Sequence, residues 1–374
     1  MTIDFKALAV KGVQGLQPYQ PGKPIEELER ELGVSNTLKL ASNENPMGPS
    51  KHVAEVLSNL STPLSLYPDG GGFELKDKLA EKLNVTATQI TLGNGSNDVL
   101  DMIARAFLCE GREAIYSAYA FAVYPISVQA VGATAKVAKA LPSDHEKNPY
   151  GHDLNAMSAL ITDKTSVIFI ANPNNPTGTW LNEAELLGFI SNVPSHVIVV
   201  VDEAYFEYVT KSDYPGTVKW LDKFPNLIVT RTFSKIYALA GLRVGYSVCS
   251  DQIADLLNRV RQPFNVNTPA MVAAVTALND EAHLNECVSI NTNGIKFWQA
   301  ACQYRGLEYI PTVGNFITID FEQDAMPIYE ALLREAIIVR PIDNYGLPNH
   351  LRITISTVEQ NQKCLDALDK VLDL

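Results

Sequence analysis

At 374 residues the chain exceeds one ordinary compact domain, which predicts one large domain with a smaller companion. Its composition, 46% hydrophobic and 19% charged, is that of a soluble globular protein, and no apolar run approaches the length that spans a membrane. A formal charge of -12 without a dense Lys/Arg run argues against nucleic acid as a partner. The five cysteines, Cys109, Cys249, Cys287, Cys302 and Cys364, show no metal-ligand spacing, and the six histidines do not cluster, so reduced thiols and no metal are expected. The N-terminus offers only Phe5 and Ala7 to Val10, interrupted by Lys6 and Lys11, too short for a signal-peptide core, and a cytoplasmic protein is expected.

Residues 1–35 read as an arm, with Pro18-Tyr19-Gln20-Pro21-Gly22 followed by one short helix from Ile25 to Leu32 that Gly33 stops. A large domain is expected over 36–269. It begins with Leu40-Ala41-Ser42-Asn43-Glu44-Asn45-Pro46, a polar stretch without periodicity that suits a connector or a site wall. Tyr67-Pro68-Asp69-Gly70-Gly71-Gly72 is turn chemistry leading into a helix with Leu75, Leu79 and Leu83 on one face. Ile90-Thr91-Leu92 reads as a strand turning through Gly93-Asn94-Gly95-Ser96-Asn97 into a helix, whose first amides suit a phosphate, although the string is neither a dinucleotide fingerprint nor a P-loop. Ala114-Ile115-Tyr116 is a strand, and Tyr119, Phe121 and Tyr124 after it read as core packing.

Two longer apolar runs follow. Ser166 to Ile170 ends in Asn172-Pro173-Asn174-Asn175-Pro176-Thr177-Gly178, and Val197 to Val201 ends in Asp202-Glu203-Ala204-Tyr205. Continuous β-branched runs are strands covered on both faces, hence an α/β fold with a mostly parallel sheet between helices. Asp202 directly after such a strand is costly to bury without a partner cation, though a helix cap fits equally well locally.

The string Arg231-Thr232-Phe233-Ser234-Lys235, running on to Gly241-Leu242-Arg243, follows the strand Leu227 to Thr230. Lys235 should therefore stand at the sheet edge where open α/β folds bind ligands. The hydroxyls of Thr232 and Ser234 and the guanidinium of Arg243 suit a phosphate beside that amine. An amine next to a phosphate points to pyridoxal phosphate, because only an amine condenses with its aldehyde to a Schiff base. Asn175, Asp202, Tyr205, Lys235 and Arg243 are expected to follow four successive strands and meet in one cleft. Beyond Pro269 a small α+β domain, 270–374, is expected: helices over Ala270 to Leu278 and from about Ile290 to Tyr304, strands at Asn315 to Asp320 and Ile337 to Val339, and a closing helix with Leu365, Leu368 and Leu372.

In Asn175-Pro176-Thr177-Gly178, Asp202-Glu203-Ala204-Tyr205 and Ser234-Lys235 followed by Ala240-Gly241-Leu242-Arg243, the chain resembles class II aminotransferases of fold type I, the histidinol-phosphate aminotransferases in particular, over nearly its whole length. That resemblance implies a seven-stranded sheet and bound pyridoxal 5'-phosphate. It implies that Lys235 carries the cofactor and then moves the substrate proton, that Asp202 pairs with the pyridinium nitrogen, and that Asn175 and Tyr205 bond the phenolic oxygen. It puts the phosphate on Ser96, Asn97, Thr232, Ser234 and Arg243, and a stacking ring at Phe121, where the family often has tyrosine. It further implies a homodimer with shared sites, since Tyr67 matches the position that reaches the partner's phosphate. Tyr19, Asn43, Arg340 and Arg352 fall at substrate-binding positions, with structural ion pairs the alternative for the two arginines. The small-molecule substrates implied are histidinol phosphate and 2-oxoglutarate. An aromatic amino acid aminotransferase, or a decarboxylase of the phosphothreonine type, is the alternative on the same scaffold.

Overall fold

The computed structural model describes residues 3–61 and 65–373. Its centre is one seven-stranded sheet made of β1 (Ile90–Gly93), β2 (Glu113–Ser117), β3 (Thr134–Ala138), β4 (Thr165–Ala171), β5 (Ile198–Asp202), β6 (Leu227–Thr232) and β7 (Gly245–Cys249). The strands lie in the order β1-β7-β6-β5-β4-β2-β3. The pairs from β6 to β3 are parallel. Only β7 reverses, running antiparallel to both β1 and β6. The expected mostly parallel sheet is therefore found.

The reason lies in the side-chain alternation of strands buried on both sides. In β4, Ile168 and Ile170 pack on one face of the sheet while Val167 and Phe169 pack on the other; Val199 and Val201 against Val200 repeat the split in β5, and the two faces together make the first core. Helices Phe73–Leu83, Glu183–Asn192 and Thr268–Leu278 cover the first face, and Ser96–Phe107, Val123–Ala130 and Asp251–Val260 the second.

A second core gathers around an antiparallel sheet of β8 (Glu308–Ile310), β9 (Phe316–Asp320), β10 (Arg340–Ile342) and β11 (Leu347–Thr354), in the order β10-β11-β9-β8. Helices Met326–Arg334 and Val358–Leu372 pack on it. The helix Thr268–Leu278, expected to open the small domain, packs through its small face of Ala270, Ala273, Ala274 and Ala277 closely on helices Lys51–Ser58 and Phe73–Leu83 in the first core. The change of core falls inside the next helix, which spans Glu281–Arg305 and buries Cys287 in the first core but Trp298, Ala301 and Cys302 in the second. That helix also begins earlier than the apolar pattern suggests, because Asp280 caps it by accepting a hydrogen bond from the amide of His283 at 3.1 Å.

The arm carries the anticipated helix Ile25–Leu32, ended by Gly33 at φ 66°, and two four-residue helices, Phe5–Leu8 and Lys11–Gln14, that periodicity did not reveal. Leu38–Lys39, just after it, pairs in parallel with Ile337–Ile338. The segment that follows, residues 40–48, thus lies between the two cores.

Candidate active site

The C-terminal ends of β4, β5 and β6 open onto one cleft between the cores. After Thr232 the chain folds back on itself: the amide of Phe233 donates to the carbonyl of Val244 at 3.1 Å, and the amide of Leu239 to that of Phe233 at 2.9 Å. Phe233, Ile236 and Tyr237 are buried beneath this loop, which leaves Ser234 and Lys235 to face the cleft. Lys235 Nζ donates to the carbonyl of Ser42 at 2.9 Å. Burial, and then the charge of Arg352, lower its pKa from 10.5 to about 7. The amine is consequently a free base over a range where an ordinary lysine is an ammonium ion.

At one end of the cleft, β1 passes through Gly95 into helix Ser96–Phe107, whose first amides are left without intrahelical partners. Gly95 has φ 82°, and a Cβ there would stand 2.5 Å from Nη2 of Arg243, so only glycine lets the guanidinium lie this close. Arg243 Nη1 donates to the Ala240 carbonyl at 2.9 Å and to Ser234 Oγ at 3.3 Å. The amide of Ser234 donates to Thr232 Oγ1 at 3.1 Å. Ser96, Asn97, Thr232, Ser234 and Arg243 are thus together, an array of amides, hydroxyls and one cation suited to a phosphate. Arg243 lies in the β6–β7 connection, so three strand ends build the polar edge rather than the four expected.

Asp202 stands elsewhere in the cleft, on β5, and is 4% exposed. Its Oδ2 accepts a hydrogen bond from the Tyr124 hydroxyl at 2.9 Å, while Oδ1 is buried without a protein partner. Burial pushes its pKa up to about 6, against the Tyr124 bond and, after it, the neighbouring Thr230 hydroxyl and Ala204 amide, which lower it although neither makes a hydrogen bond of normal geometry to Oδ1. A buried carboxylate oxygen with no partner is an acceptor waiting for an N–H or O–H from a ligand.

The remaining groups come from both cores. The Tyr205 hydroxyl accepts from Asn43 Nδ2 at 2.8 Å. Arg352 donates to Asn175 Oδ1 through Nη1 and to the Ala41 carbonyl through Nη2 at 2.6 Å. Arg340 is opposite Arg352 across β10 and β11, and its Nη2 donates to the Gln20 carbonyl at 2.8 Å, fastening the arm beside Tyr19. Phe121 lines the cleft as well. Tyr67 does not: it is 81% exposed and stacks on Phe264 with centroids 4.6 Å apart. Sequence reasoning took Tyr124 for core packing alone. Its contact with Asp202 joins residues 78 apart, and no local spacing signals it. The backbone carbonyls of Ala41 and Ser42 that receive Arg352 and Lys235 were equally beyond reach of pattern.

The lining fits pyridoxal phosphate: a phosphate cradle whose depth depends on Gly95, an amine, an aromatic ring at Phe121, and an orphaned carboxylate oxygen suited to a ring N–H. Among the described residues no helix is long and apolar enough to cross a membrane.

Comparison with known proteins leads to the same chemistry. Residues 35–368 match the family model for aminotransferase class I and II. Histidinol-phosphate aminotransferase 2 of Methylococcus capsulatus is 57% identical over 366 residues, 98% of each chain. Histidinol-phosphate aminotransferase 1 of Mannheimia succiniciproducens is 52% identical over 99% of each. The crystal structure of histidinol-phosphate aminotransferase from Sinorhizobium meliloti in complex with pyridoxal-5'-phosphate superposes with a TM-score of 0.88 at 26% identity, covering 97% of this chain and 96% of that one.

Proposed function

The chain belongs to the class I and II aminotransferases, and from that premise we propose that it moves an amino group from histidinol phosphate to 2-oxoglutarate, giving imidazole acetol phosphate and glutamate, with pyridoxal 5'-phosphate as cofactor. The single observation that carries the chemistry is the convergence of a near-neutral amine, Lys235, and an unpartnered carboxylate oxygen, Asp202 Oδ1, in one cleft. The donor rests on relatives that share half or more of their residues with this chain over almost its full length.

When bound, the cofactor supplies an aldehyde for amines and a ring that draws electrons from the substrate Cα. Lys235, about half in its free-base form near pH 7, would hold that aldehyde carbon and would carry the substrate proton at Cα. Asp202 accepts the ring N–H and keeps the nitrogen protonated. Asn175 and Tyr205 hold the ring oxygen, Phe121 covers the ring face, and Ser96, Asn97, Thr232, Ser234 and Arg243 hold the phosphate. Arg352 takes the substrate anion by its fork of donors; Arg340 takes the second anion, and Asn43 sets the Tyr205 hydroxyl. Tyr19 closes over the donor from the arm. The site is shared in a homodimer, Tyr67 reaching the partner's phosphate. The five thiol cysteines support work in the cytoplasm.

A panel of donors tests the reading, with the cofactor's aldehyde and amine absorbance followed through each half-reaction. Histidinol phosphate should convert the aldehyde form with a higher kcat/KM than phenylalanine or tyrosine, and 2-oxoglutarate should restore it. A faster aromatic donor would reassign the substrate. Carbon dioxide release without a keto acid would reassign the reaction.

A further inference from the structure

We infer that Tyr124 is a positioning residue, whose hydroxyl fixes the Asp202 carboxylate so that its free oxygen meets the cofactor's ring nitrogen. The inference deepens the pyridoxal phosphate reading and rests on it.

Tyr124 lies on helix Val123–Ala130 and is 0% exposed. Its ring stacks on Phe169, centroids 4.9 Å apart and planes at 13°, and meets Phe121 edge-on at 5.9 Å. A phenylalanine would fill that space equally well, so packing alone does not explain the hydroxyl. Burying a hydroxyl is costly unless it is bonded. Here it donates to Asp202 Oδ2 at 2.9 Å.

That bond does two things. It favours the ionised carboxylate, which burial in the cleft floor otherwise disfavours. It also anchors one oxygen, which fixes the rotation of the carboxylate and leaves Oδ1 as the acceptor without a protein partner. Burial and the nearby Asp202 charge hold the Tyr124 phenol well above its ordinary pKa, so it stays a donor. Glu203, next in the chain, is turned away to Arg231 and Thr217 and does not compete for the hydroxyl. Through its contact with Phe121, the same ring backs the residue proposed to cover the cofactor face.

The test compares two ligands on the full-length chain freed of cofactor: pyridoxal phosphate and its 1-deaza analogue, in which CH replaces the ring nitrogen. The wild type should bind pyridoxal phosphate more tightly, and the ratio of the two dissociation constants measures the contact to nitrogen. In Tyr124→Phe that ratio should fall about tenfold, as expected for losing a hydrogen bond to a charged group. The change should come from pyridoxal phosphate alone. In an Asp202→Asn background the same substitution should leave the ratio unmoved, because the hydroxyl acts through the carboxylate. An unchanged ratio in Tyr124→Phe, or equal weakening of both ligands, would overturn the inference and leave Tyr124 a packing residue. A wild type that binds both ligands equally would also overturn it, while one that binds neither would bring down the cofactor reading itself.

Discussion

Lys235 owes its chemistry to its surroundings. Its amine is removed from bulk water and lies in the field of Arg352, both of which favour the neutral form and take the pKa from 10.5 to about 7. Below about 7 the amine gains a proton and loses its nucleophilicity; above it the lone pair is free. Capture of pyridoxal phosphate by the cofactor-free chain should therefore speed up as pH rises through about 7 and then level off. Arg352→Met removes the cation and should move that midpoint to higher pH. Stopped-flow absorbance across pH checks both, and a midpoint near the ordinary lysine value in the unaltered chain would refute this account. Arg352 itself is buried and held by Asn175 and the Ala41 carbonyl, so its fork is already set before any substrate anion arrives.

At the scale of elements, the turn after β4 joins the two cores at the cleft. Thr318 Oγ1 on β9 donates to the Pro176 carbonyl at 2.6 Å, and the amide of Val313 donates to the Gly178 carbonyl at 3.1 Å. Gly178 has φ 81°, and a Cβ there would run into the side chain of Thr312. Gly178→Ala should therefore cost on the order of 2–4 kcal/mol, from the left-handed backbone penalty and overpacking together. It should also weaken substrate binding, because the turn carries the partner of Arg352. Denaturant unfolding and KM for both substrates check this; unchanged stability would mean that the cores separate freely at this point. Five of the seven strands of the large sheet were legible, the central ones because strands buried on both faces read as unbroken apolar runs; Thr134–Ala138, a largely exposed edge strand without such a run, and Gly245–Cys249 were not. The second layer was less so. Its first strand, Leu38–Lys39, pairs with Ile337–Ile338 far along the chain, and the helix shared between the cores changes its buried face midway. Local period reports which face is apolar, not which distant element covers it. For the same reason Asp202 and Lys235 could be singled out by residue type and place in the chain, and Asn43 only through the family resemblance, while the Asn43–Tyr205 and Tyr124–Asp202 bonds could not be read at all.

On the whole molecule, the feature that a single chain leaves unused is the loop around Tyr67. Asp69 accepts hydrogen bonds from the amides of Gly71 and Phe73 at 2.8 and 2.7 Å, and Arg261 Nη2 donates to the Gly70 carbonyl at 2.8 Å. The loop is thus fixed, yet it turns Leu66, Tyr67 and Phe73 outward beside Phe264, an apolar surface that a neighbour would cover. In a twofold dimer the same patch serves both chains, and the Tyr67 of each would complete the site of the other. Mixing gives this arrangement a sharp consequence. In such a dimer, Lys235→Ala and Tyr67→Ala homodimers would each carry two damaged sites. In a heterodimer of the two, one site combines both lesions and the other combines the intact Lys235 with the intact Tyr67. Subunit exchange, followed by separation on differently tagged chains, should therefore return about half of the wild-type activity per heterodimer, while neither parent recovers alone. If proven heterodimers stayed at the level of the Tyr67→Ala parent, each chain would use its own residues only, and the exposed ring would have to serve another contact.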